Sequence, residues 1–208
     1  MEFWNDATTD ASWEELKELN KEFRFILIGG WATYLYTRLN KSKDIDIIVD
    51  YDTLSALKNR YELINNVKLK KYEIKFSMFD VDIYLPKYSE LPIPPQDILK
   101  VLNTKLEGFT LPKIEALITL KIAAFLSRKD SIKGKKDAVD ILGLLLDENL
   151  DIKSLKSLFK KYGHDDYLNV VNDLLRTNET EIISYLKMDL HSFSIKRKSL
   201  LGKMRSAD

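Results

Sequence analysis

The chain has 208 residues, 45% of them hydrophobic, enough to build the packed core of one large domain or two small ones. Its 33 Lys and Arg against 32 Asp and Glu leave a net charge of +1, so no global field draws in a polyanion and any nucleic-acid contact needs a local patch. There is no cysteine, which excludes disulfides, thiol nucleophiles and cysteine zinc sites, and the two histidines, His164 and His191, are far apart with no ligand spacing.

Met1 to Asp6 is acidic and lacks the basic and apolar regions of a signal peptide. No apolar run approaches the ~20 residues of a membrane span, so a cytoplasmic protein with no membrane partner is expected. A first helix is predicted over Ser12 to Asn20, with Ser12 as cap and Glu15 three positions on. Phe23 to Ile28 is a short apolar run of strand character, and Gly29-Gly30 lets the backbone turn sharply after it. Trp31 to Leu39 reads as a helix whose free N–H groups and positive dipole end lie beside the glycines, a site suited to a triphosphate.

Asp44 to Val49 alternates as a second strand, with Asp44 and Asp46 on one face and Ile45 and Ile47 on the other. Two carboxylates about 6–7 Å apart along a strand can share Mg²⁺ ions about 3.5–4 Å apart, the geometry of two-metal phosphoryl or nucleotidyl transfer. Alone, a diglycine is usually a turn and Asp-x-Asp a solvated face. The order strand, Gly-Gly, helix, strand is what points to chemistry.

Thr53 to Tyr61 reads as a helix and Val67 to Phe76 as an extended stretch, with Leu69, Lys71 and Glu73 alternating against Tyr72, Ile74 and Phe76. Phe79 to Leu85 is a further strand, ended by Pro86, with Asp80 and Asp82 on one face. A proline-dense crossing at Tyr88 to Pro95 and a short extended stretch at Lys105 to Leu111 follow. Beyond them everything reads helical. Lys113 to Arg128 comes first, with Pro112 in a first-turn position, Ile114, Leu117, Leu120 and Ala124 on one stripe, and Lys121 within the apolar stretch. Ile132 to Lys135 breaks that pattern. Helices are then predicted over Lys136 to Asp147, Ile152 to Lys161, Tyr167 to Arg176 and Glu179 to Lys187, with a basic last helix and tail at Ile195 to Arg205. That tail, and a second cluster of Lys68, Lys70, Lys71 and Lys75, read as solvated surface, with RNA backbone contact as the alternative.

The Gly29-Gly30 turn, the helix after it and Asp44-Ile45-Asp46-Ile47 resemble the signature of the DNA polymerase beta-like nucleotidyltransferase superfamily. More narrowly, Gly29-Gly30-Trp31-Ala32 with Tyr34, Arg38, Ser42 and the Asp44 to Ile47 string is similar to AbiEii-type and related minimal nucleotidyltransferases of bacteria and archaea. Lys121, Ala124, Arg128 and Lys136-Asp137 followed by Asp140 resemble the second conserved region of those enzymes.

The resemblance implies an α+β (mixed α/β) fold. A catalytic core over 1–110, with a small mixed sheet flanked by helices, would precede a helical lobe over 111–208, with the nucleotide between the two. It implies transfer of a nucleoside monophosphate from an NTP to an acceptor hydroxyl, with release of pyrophosphate and two Mg²⁺ (or Mn²⁺) ions as cofactors. Asp44 and Asp46 would bind both metals and Gly29 and Gly30 would cradle the phosphates, with Ser42 as a further phosphate donor. Asp82, an acid between apolar residues as in the family's third-carboxylate strand, would complete the acceptor-side metal site; Asp80 is the alternative. Lys121 would reach the nucleotide phosphates and Asp137 would order that lysine or the nucleotide; the plain alternative is a snorkelling lysine and a local cap. Acceptors of such enzymes include tRNA 3′ ends, small molecules and proteins, and the resemblance implies a role as a toxin with an antitoxin partner. Two other classes fit the same residues: a non-catalytic nucleotide-binding protein, or a toxin–antitoxin interaction module that retains the fold.

Overall fold

The structure is a computed structural model that describes residues 5–177 and 180–206. The chain divides into two compact units, Met1–Lys113 and Ile114–Asp208.

The first unit opens with α1 (Asp6–Glu22), followed by β1 (Ile26–Ile28), α2 (Gly29–Thr37), β2 (Ile45–Ile48), α3 (Tyr51–Arg60), β3 (Ile64–Asn66), β4 (Lys71–Lys75) and β5 (Asp80–Tyr84). It closes with α4 (Pro95–Lys100) and a hairpin, β6 (Asn103–Leu106) and β7 (Phe109–Pro112). Five strands form one sheet in the order β1-β2-β5-β4-β3. β2 and β5 run parallel, and the other neighbours are antiparallel. Leu27, Ile45, Ile47, Val81 and Ile83 alternate onto one side of this sheet and are fully buried. Each such side chain contributes about 1.5–3 kcal/mol relative to exposure. That burial fixes the register, because a one-residue slip would exchange isoleucines for aspartates.

Several boundaries differ from the predicted ones for local reasons. The first helix starts at Asp6, because the Asn5 side chain accepts the Ala7 N–H and caps it; Ser12 lies buried inside the helix. The extended stretch Val67 to Phe76 is broken by a turn at Val67 to Lys70, with Lys70 at φ +50°, which separates β3 from β4. The proline-dense crossing ends in a short helix with a proline in its first turn, where the missing N–H costs nothing. Lys105 to Leu111 is part of a hairpin turned by Glu107 and Gly108, both at positive φ. Pro112 pairs with Asn103 at the end of β7 instead of opening a helix, and the first unit runs to Lys113.

The second unit is helical: α5 (Ile114–Arg128), α6 (Ile132–Leu145), α7 (Ile152–Tyr162), α8 (Tyr167–Leu175), α9 (Thr180–Tyr185) and α10 (Leu190–Ser206). The predicted break at Ile132 to Lys135 is the first turn of α6. Ser131 caps it, its Oγ accepting the Gly134 N–H at 3.0 Å. Gly134 reads as a breaker but serves the packing: a Cβ there would lie 2.3 Å from the Arg128 carbonyl oxygen. The predicted start of the next-to-last helix, Glu179, lies outside the described residues. Among the described residues no helix is long and apolar enough to cross a membrane.

Candidate active site

β1 ends at Ile28, whose register partner on β2 is Asp46. Gly29 follows at φ +68° and turns the chain straight into α2, so the helix starts at the glycines and not at Trp31. The N-cap residue Ile28 supplies no side-chain hydrogen bond to this helix, so its first N–H groups look to an acceptor beyond their own cap residue. A Cβ on Gly29 would lie 2.1 Å from Asp46 Oδ2. The carboxylate therefore sits hard against the positive end of α2. α2 is held in place from behind: the Trp31 Nε1–H donates to Ser12 Oγ at 2.8 Å, and the Trp31 ring packs on Trp13 and Tyr34 at 4.9 and 5.6 Å between centroids. Gly29→Ala is expected to be defective twice over. The left-handed backbone alone costs an alanine about 1–2 kcal/mol, and the methyl group must displace the Asp46 carboxylate. A melting curve together with NTP turnover checks both; a variant with wild-type values in each would show that this close approach is unimportant.

Across the sheet, the register lines up Ile28, Asp46, Asp82, Glu73 and Ile64 in one row over all five strands. Asp46 and Asp82 are direct partners on the parallel pair β2–β5. Asp44 departs from the predicted strand: it lies in the bend before β2, which begins at Ile45. Ser42 shapes that bend by donating its hydroxyl to the Asp44 carbonyl at 3.0 Å. The Asp44 carboxylate accepts the Asp80 N–H at 3.2 Å, so the bend is tied to the start of β5. Asp80 is bridged by Lys75 at 2.8 Å, whereas Asp82 is more buried and receives Lys71, with Nζ 2.5 Å from Oδ2. The same ammonium reaches Glu73 at 3.0 Å. Lys71 thus belongs to the carboxylate face and not, as its place in a lysine cluster suggested, to a solvated surface.

In the helical unit, Lys121 Nζ lies 3.3 Å from Asp137 Oδ1 and 2.7 Å from Asp140 Oδ2. Arg128 Nε binds the other oxygen of Asp137 at 2.7 Å, and Lys136 Nζ binds Asp140 Oδ2 at 2.9 Å. Lys121, Lys136, Asp137 and Asp140 are all buried. Burial works against the charge of Asp140, but Lys121 and Lys136 outweigh it and hold the carboxyl below its usual range. Burial pushes the Lys136 ammonium down despite Asp140. Asp140 Oδ1 is buried without a hydrogen-bond partner among the described residues.

A family model described as "nucleotidyltransferase of unknown function (DUF6036)" matches residues 7–188. The chain belongs to this nucleotidyltransferase family. Its fold is similar to the crystal structure of JHP933 from Helicobacter pylori, at 17% identity and a TM-score of 0.52, over 98% of this chain and 94% of that one. The crystal structure of an antigenic nucleotidyltransferase-like protein from Paracoccidioides brasiliensis also matches, at 17% identity and a TM-score of 0.46, over 88% of this chain and 93% of that one. No curated relative matches the chain.

For a nucleotidyltransferase the donor set is chemically apt. Asp44, Asp46 and Asp82 offer only hard carboxylate oxygens, the ligands of Mg²⁺ or Mn²⁺, and the missing side chain of Gly29 is what lets the Asp46 carboxylate take its place against the turn. Among the described residues no three acidic, histidine or cysteine side chains are already drawn together as a metal cage. Lys71 and Glu73 were missed in reading the sequence. Their place follows from the hairpin: Phe76 N–H bonds to the Phe79 carbonyl across a two-residue turn, which sets Lys75 opposite Asp80 and Glu73 opposite Asp82.

Burial alone would raise the Glu73 carboxyl, but Lys75, Asn66 and Lys71 outweigh it and bring its pKa down to about 2. Burial also opposes the Lys71 ammonium, yet Asp82 and Glu73 raise its pKa, so the lysine stays charged. Asp82 is lifted above the usual carboxylate range by burial, with Lys71 opposing and Glu73 and Asp44 adding to the rise. Because the folded pKa of Glu73 lies below the ~4.3 of an unfolded glutamate, its stabilising effect is full above that value. It is lost as pH falls towards about 2. The melting temperature of Glu73→Gln is expected to lie below wild type at pH 7 and to converge on it only as pH falls to about 2. A gap that persists unchanged into acid would mean that the Glu73 charge contributes nothing.

Proposed function

We propose that this nucleotidyltransferase moves a nucleoside monophosphate from an NTP to an acceptor hydroxyl in a Mg²⁺-dependent reaction. The observation that carries the reading is the register of Asp46 with Asp82, beside the N-terminus of α2 at Gly29. The N–H groups of the Gly29-Gly30 turn receive the phosphates, and Asp44 and Asp46 are the principal ligands for a divalent cation. When bound, such a cation supplies Lewis-acid polarisation of the phosphoryl oxygens and charge neutralisation. Asp82, lifted by burial towards a useful basicity, takes the proton of the acceptor hydroxyl. The acceptor oxygen then forms its bond to the α-phosphorus, and the bond to the pyrophosphate oxygen breaks. Asp82 is preferred to Asp80 because it stands directly opposite Asp46, while Asp80 is engaged by Lys75 at the strand's start. For Lys121 and Asp137 the proposal keeps the assignment that the motif resemblance gives, a lysine for nucleotide phosphate and the acid that orders it; their 3.3 Å contact supports the second part.

The AbiEii-like motifs favour a toxin-type enzyme of the cytoplasm that acts on tRNA and is restrained by an antitoxin. Incubation with each α-labelled NTP, Mg²⁺ and total RNA is expected to label tRNA 3′ ends and to release pyrophosphate. Label in protein or small-molecule fractions instead would move the acceptor. Bound nucleotide without label in any fraction would favour the non-catalytic alternative.

A further inference from the structure

Lys71 stands where the motif resemblance implies an acceptor-side metal. Its side chain is 11% exposed, and Nζ lies 2.5 Å from Asp82 Oδ2 and 3.0 Å from Glu73 Oε1. It is therefore clamped between β5 and its own strand β4, on the side of Asp82 that faces Glu73. Glu73 does not depend on Lys71 for its position, since Lys75 at 2.9 Å and the Asn66 amide at 2.9 Å hold it as well.

We propose that Lys71 is a built-in cation for the acceptor side of this site, so that the nucleotide-bound protein holds one divalent ion, on Asp44 and Asp46, rather than two. The inference rests on the nucleotidyl-transfer reading and specifies how its site is charged. The ammonium already occupies Oδ2, so a second divalent ion on Asp82 would have to share one carboxylate with it, and the two cations would repel at close range. Moving Lys71 away would strip a charge-assisted hydrogen bond from Asp82 and another from Glu73, both largely out of water, where such bonds are strongest. With Lys71 on Oδ2, Asp82 keeps Oδ1 for the acceptor hydroxyl, and the lysine orients the carboxylate that takes the proton.

Titration of the full-length protein with Mn²⁺ in the presence of a non-hydrolysable NTP analogue, read by electron paramagnetic resonance, tests this. Wild type is expected to bind one Mn²⁺ with an isolated-ion spectrum. Lys71→Met is expected to bind two, with the exchange-broadened spectrum of ions about 4 Å apart, and Lys71→Arg, which keeps the charge, to stay at one. Two ions in wild type would overturn the proposal and leave nucleotidyl transfer intact. One ion in Lys71→Met, with a cooperative melting curve to show that it is folded, would also overturn it. Should Lys71→Met not fold, the wild-type and Lys71→Arg counts still decide, because two ions in either sinks the idea. No Mn²⁺ in any of the proteins would remove the metal-dependent reading itself and this inference with it.

Discussion

Asp46→Asn is expected to lower nucleotidyl transfer by roughly 10³-fold, the rate equivalent of the several kcal/mol that metal-centred charge stabilisation supplies. The substitution keeps shape and volume, so the packing against Gly29 survives while one carboxylate charge beside α2 is lost. Helix-terminus charges contribute only about 0.3–1 kcal/mol at exposed positions, so melting should change little while turnover collapses. Turnover measured with the NTP and acceptor fraction identified above, alongside a melting curve, separates the two effects. An Asp46→Asn protein with wild-type turnover in Mg²⁺ would end the case for this carboxylate as a metal ligand.

Asp140→Ala should be the most destabilising single change in the helical unit. Asp140 Oδ2 accepts from both Lys121 and Lys136, all three buried. Removing it leaves Lys136 without the one ion-pair partner seen for it among the described residues. Stripping the partner from a buried charge typically costs 3–5 kcal/mol, while replacing a buried ion by an apolar residue of similar volume is often neutral. Lys136→Met should therefore be much milder than Asp140→Ala, because it leaves Asp140 paired with Lys121. Urea unfolding of both variants measures the gap; equal losses would show that the cluster is not held by shared charge.

What could be read from the chain depended on how local the determining interaction was. The Gly29-Gly30 turn and the strand holding Asp46 are set by neighbours in sequence, and the α+β class with its helical second half follows from patterning that burial enforces. Gly134 was misread, because a glycine that breaks a helix and one that makes room for the Arg128 carbonyl are identical in one dimension. Ser12 with Glu15 three positions on has the spacing of a capping box, so the start of α1 was placed there, while the cap that acts is Asn5. Lys71 and Glu73 needed the β4–β5 register before their partners could be named. The buried role of Lys136 has no sequence signal beyond its i, i+4 spacing to Asp140.

The parallel pairing of β2 with β5 has a kinetic side. β4 and β5 meet across a two-residue turn, and β1 reaches β2 through a single helix, so each half can form from nearby residues. Asp46 and Asp82 are 36 positions apart and become neighbours only when these two halves close on each other. Closing that loop is entropically costly and comes after the local pairings. The carboxylate row should thus be among the last features of the first unit to assemble. Separation of β2 from β5 would silence it with both halves still folded, so amide exchange along β5 should track loss of activity more closely than exchange within the β4–β5 turn.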